Sequence, residues 1–113
     1  MTGVGGLEDD HNKNLRRLQI ATLKTTHSES ELRKYLASEN VTIYQLQIEI
    51  GQFDQQYQYM EQIQNDILME LPQQEVEGML NNNENNNRKL CEVRTKAGEY
   101  LECLIEKKGR NSK

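Results

Sequence analysis

Two histidines, two cysteines and a set of carboxylates are the groups in this chain that could do chemistry. His11 lies in a Gly- and acid-rich opening and His27 in a polar Thr-Thr-His-Ser-Glu-Ser stretch. Neither has a Cys or carboxylate at zinc-ligand spacing, so no metal site is expected. Cys91 stands three residues from both Arg88 and Arg94, but no His accompanies it to act as a base. Phosphate loops, nucleophile elbows and paired acid-base constellations are absent from the sequence. Asn40-Val41-Thr42 has the form of a glycosylation acceptor, which matters only in a secreted chain, and MTGVGGLEDD lacks the basic and apolar regions of a signal peptide. The sequence thus reads as non-enzymatic, with no cofactor and no small-molecule substrate.

The elements carrying these groups are written more clearly. From Ile43 to Leu71 large apolar residues recur at three- and four-residue steps: Ile43, Leu46, Ile50, Phe53, Tyr57, Met60, Ile67 and Leu71, with Gln64 as a polar exception. This rhythm predicts a helix of about four heptads that must bury its stripe against other helices. Thr42 followed by Gln45 is a capping box that starts it, and Gly51 falls outside the stripe, where it costs about 1 kcal/mol against Ala. Pro72, the only proline, fits the first turn of the next helix.

Counting sevens from Val76 gives Asn83, Leu90, Ala97 and Leu104, and from Met79 gives Asn86, Val93 and Tyr100. The register passes through the asparagine run in phase. It favours one helix from about Gln73 to Lys107, with Asn83 and Asn86 as polar seam positions, over a low-complexity loop at 81–87. Cys91 and Cys103 would stand roughly 18 Å apart along this helix, too far to bridge, and read as free thiols. The first helix is expected to start near Lys13 with an early face of Leu15, Leu18, Thr22 and Leu23, and to run through Leu32, Tyr35 and Leu36. Ser28 and Glu31 form a possible restart box, so one kinked helix and two helices both remain open. Residues 1–12 read as a flexible lead-in, 13–107 as the helical domain and 108–113 as a disordered basic tail.

Charge separates the same segments. No Lys or Arg lies between Lys34 and Arg88, a gap that holds nine acids, while the stretches Lys13 to Lys34 and Arg88 to Lys113 each carry an excess of about +4. An acidic helix between two basic ones favours their packing together. The formal charge of −4 and few aromatics disfavour nucleic-acid binding, and no apolar run approaches the ~18 residues of a membrane span. An intracellular location, cytoplasmic or nuclear, is expected. The fold class expected is all-α, an antiparallel helical hairpin or three-helix bundle with coiled-coil-like packing. With an apolar fraction of 35%, one Phe and no Trp, the core is poor for a chain of 113 residues, which points to self-association or a helical partner.

From Leu15 to Leu101 the pattern resembles the N-terminal helical domain of Pao/BEL-type LTR retrotransposon polyproteins. The residues that carry the resemblance are Arg16, Arg17 and Thr22, then Leu46, Ile50, Phe53, Tyr57, Ile63, Gln64 and Ile67, then Glu84, Val93, Ala97 and Leu101. The chain departs from a Gag protein in lacking a Cys-x-x-Cys zinc knuckle, so the resemblance points to a structural piece, or to a host protein derived from one. It implies a Gag-like assembly module without chemistry of its own. Leu46, Ile50, Phe53, Tyr57, Met60, Ile67, Leu90, Val93, Tyr100 and Leu104 would form the packing surface, and Tyr59, off the stripe, an exposed contact. The expected partner is protein: a second copy, forming a dimer, or a helical partner. The alternative function is a host coiled-coil adaptor or scaffold subunit completed by a different protein.

Overall fold

A computed structural model describes the backbone of residues 2–111 and the side chains of residues 10–109. Three helices, α1 (Thr2–Ala37), α2 (Ile43–Glu70) and α3 (Gln73–Asn111), pack as a bundle with no strand among the described residues. The connections are short, Ser38–Thr42 and Leu71–Pro72, so each helix runs antiparallel to the one before it. Opposed pairs confirm the direction, with His11 beside Glu70 at one end of the α1–α2 contact and Thr25 beside Gln56 further along.

Local sequence explains the boundaries. Thr42 caps α2: its hydroxyl accepts from the Gln45 amide at 3.1 Å, and the Gln45 side chain accepts from the Thr42 amide at 3.2 Å. Pro72 sits just before α3 rather than inside its first turn, and its carbonyl accepts from the Glu75 amide. The asparagine run is helical, as its preserved register predicted, and α3 continues to Asn111, beyond Lys107. Residues 112 and 113 of the expected basic tail lie outside the described residues.

α1 departs most from expectation. It is one helix through the Thr25 to Ser30 stretch, without a restart at Ser28, and it begins at Thr2 instead of Lys13. Polar anchors account for part of this early start: His11 Nδ1 lies 2.9 Å from a Glu70 carboxylate oxygen, and the Asn14 amide donates to the other oxygen. The inward positions of α1 are His11, Asn14, Leu18, Ala21, Thr25, Ser28, Leu32 and Tyr35, an unbroken three-four rhythm in which only some members are apolar. Of the expected early face, Leu18 is half-buried, Leu15 and Thr22 are exposed, and Leu23 is 71% exposed. Small residues replace them: Ala21 and Thr25 are fully buried and let α1 approach α2 closely.

The core gathers Ala21 and Leu32 from α1, Leu46, Ile50, Phe53, Met60, Ile63 and Ile67 from α2, and Leu90, Val93 and Ala97 from α3. The α2 stripe is thus covered from within the chain. Ile63, off the three-four stripe, is buried because α2 meets a neighbour on each flank. The whole measures 72 × 24 × 20 Å. Its length follows from stagger: α1 starts before α2 ends, and α3 runs on past the α1–α2 turn, giving about 48 residues of axial rise at 1.5 Å each.

Candidate interaction surface

The residues expected to line the packing core pack against one another within the chain. Leu46, Ile50, Phe53, Met60, Ile67, Leu90 and Val93 are buried in the core, and Tyr57, Tyr100 and Leu104 are half-buried against it. The Phe53 and Tyr57 rings stack with centroids 5.9 Å apart. The Tyr57 hydroxyl and the Cys91 thiol form a hydrogen bond of 3.3 Å, and burial first, then this bond, holds the Tyr57 hydroxyl well above its ordinary pKa. Tyr100 donates its hydroxyl proton to the Ser38 carbonyl at 3.0 Å, fastening α3 to the first turn.

Polar pairs set the register of α2 against its neighbours. Gln64 and Asn87 exchange two hydrogen bonds, 3.2 and 3.0 Å, so the seam asparagines are Asn83 and Asn87; Asn86 is exposed. The reason is the pitch of a straight helix, 3.6 residues per turn, which carries the inward face from Asn83 to Asn87 where a strict seven would return to Asn86. Arg94 Nε donates to Asp54 Oδ1 at 2.8 Å, and this pair realises the charge contrast between α2 and α3. Arg33 and Lys34 pair within α1, with Glu29 and Glu31. Such exposed pairs contribute at most about 1 kcal/mol each.

Cys91 and Cys103 are free and exposed on α3. Arg94, one of the two cations expected beside Cys91, is engaged by Asp54. His27 lies on an open groove of about 590 Å³ between α1 and α2, lined also by Leu23, Gln52 and Gln56. Among the described residues, no three His, Cys, Asp or Glu side chains gather where they could hold a metal ion. Among the same residues, no helix is long and apolar enough to cross a membrane.

What remains on the outside is a second rhythm on α2. Tyr44, Ile48, Gly51, Gln55, Gln62 and Met69 recur at heptad-compatible spacing opposite the core, and all are exposed. Gln47, Gln52, Gln58, Tyr59 and Asn65 widen this face, Asp66 and Glu70 are the charges α2 places along it, and Arg17 of α1 reaches onto its Tyr59 edge. Tyr59 is 44% exposed, as expected of it, yet not loose. Arg17 Nη2 donates to its hydroxyl at 3.2 Å, the guanidinium carbon lies 5.8 Å from the ring centroid, and Arg17 Nη1 donates to Asn14. The sequence contained this face, but in glutamines, which a search for apolar periodicity passes over.

Comparison with protein-family models, with curated proteins and with solved structures finds no match for the chain.

Proposed function

We propose that the chain is a non-enzymatic assembly module, Gag-like in the sense of a structural piece that self-associates through helix packing. The observation that supports it is the exposed face of α2, which is almost uncharged in a chain where 28% of residues are charged. Charge depletion is the compositional mark of the centre of an interface, where tyrosine and methionine are enriched. The residues that carry the retrotransposon resemblance suit this reading, since Ile50, Phe53, Ile63, Gln64 and Ile67 all serve to hold the bundle's shape.

Light scattering across about a hundredfold range of concentration tests it. A mass that rises from one chain to two is the expected result, and a mass of one chain throughout would overturn self-association. That second outcome would favour the other reading, an adaptor that docks a helix of a different protein. Leu15 and Leu23 on the outside of α1 support it, beside an open depression that Leu18 and Thr22 also line.

A further inference from the structure

In the half of the rod that holds His11 and Glu70, charge is sorted by helix. On α1 no acid lies between Asp10 and Glu29, and Lys13, Arg16, Arg17 and Lys24 are all exposed. On α2 and α3 no Lys or Arg precedes Arg88, and Glu61, Glu77 and Glu84 are exposed. Arg17 is held at the α1–α2 edge by Tyr59, with Asp66 nearby. Lys13, Arg16, Lys24 and those three glutamates take no ion pair among the described residues.

The unpaired charges bracket exposed apolar side chains. Outside α1 a second three-four rhythm, Lys13, Arg16, Ile20, Leu23 and His27, forms a crest opposite the buried one, with Ile20 48% and Leu23 71% exposed. On the far side of the bundle α2 and α3 meet along a trough, marked by the Tyr57–Cys91 and Gln64–Asn87 pairs. Those pairs set Met69 and Leu80 level with each other beside it, and both are exposed. Glu77 and Glu84 stand one turn to either side of Leu80. One surface thus runs cation, apolar, cation, and the other acid, apolar, acid. Asn65 and Met69 of the exposed α2 face line the α2 side of this trough, and Glu61 adds an acid there.

Resting on the self-association proposed above, we infer that the α1 crest of one copy lies in the α2–α3 trough of a second, with Ile20 and Leu23 on Leu80 and Met69, and Lys13 and Lys24 beside Glu77 and Glu84. The apolar contacts supply the attraction, and the charges fix the placement. Crest against crest would set Lys13, Arg16 and Lys24 on like charges, which disfavours that pairing. Crest and trough lie on opposite sides of the bundle, so a copy that uses one keeps the other free. Association therefore passes through two chains without closing there. Few apolar side chains take part, so each contact is weak, with a Kd on the order of tens to hundreds of micromolar.

Sedimentation equilibrium from about 1 to about 500 micromolar, at low and high salt, tests the contact. Ile20→Glu with Leu23→Glu removes the crest, and Leu80→Lys with Glu84→Lys removes the trough. All four positions are exposed, and Glu and Lys are good helix formers, so both variants fold, which circular dichroism checks. The parent chain is expected to associate, about tenfold more weakly at high salt. Each variant alone should stay monomeric, and an equimolar mixture of the two should associate again, because each keeps the surface the other lacks. A variant that self-associates like the parent, or a mixture that stays monomeric while the parent associates, overturns this contact and leaves self-association standing. A parent chain that is monomeric throughout overturns both.

Discussion

Thr25 has the most demanding surroundings of any polar side chain in the bundle. It is fully buried, and its hydroxyl shares one proton between the Ala21 carbonyl at 2.7 Å and the Gln56 carbonyl at 3.2 Å. Thr25→Val keeps the shape and removes the hydroxyl, so it should destabilise by about 1 kcal/mol, read as a fall in Tm of about 4 to 8 °C. Tyr57 offers a different test. Its pKa is raised from 10.0 in the folded chain, so above pH about 10 the unfolded chain loses that proton first, and stability present below that pH declines as pH rises. In Tyr57→Phe the alkaline fall in Tm should be shallower than in the parent chain, and an identical slope would show that Tyr57 does not govern it. Sequence reading found Tyr57 by its spacing but saw Thr25 only as a poor helix former. Propensity scores a residue alone, whereas Thr25 is chosen for the space between two helices.

At the scale of elements, α2 was legible almost to its ends because its inward face is apolar and its cap is a reciprocal pair. α1 was harder: its rhythm is as regular, but His11, Asn14, Thr25 and Ser28 fill half of it, and no apolar count detects them. The exposed α2 face was hidden for the same reason. Between α2 and α3 the Gln64–Asn87 pair fixes register at a cost in stability, as buried amides do. Gln64→Leu alone should cost about 1 to 3 kcal/mol by leaving Asn87 unpaired, while Gln64→Leu with Asn87→Leu should recover most of it. Chemical denaturation of both singles and the double closes that cycle, and additive losses would mean the two side chains act independently. The asparagine run itself is helical in spite of its propensity. Alanine at exposed Asn81, Asn82 and Asn85 should each raise stability by several tenths of a kcal/mol, measured the same way.

The whole molecule is a rod, with a radius of gyration of 18.6 Å where a compact domain of this length would have about 13 Å. Small-angle scattering therefore distinguishes modes of assembly. Two rods lying side by side, about 20 Å between axes, raise the radius only to about 21 Å, whereas end-to-end joining roughly doubles it. The expected course with concentration is the small rise. An extended bundle also explains how a chain with a single Phe and no Trp can be ordered. Each core layer needs only three side chains, one from each helix, and repetition along the axis replaces depth.

Parity has a consequence of its own. Three antiparallel segments leave the first and last turns at opposite poles, where two or four would return them to the same side. Labels near the two poles would therefore report one narrow distance set by the 72 Å length of the bundle, and loss of the bundle would show as a broadening of that distance rather than as a change in its mean.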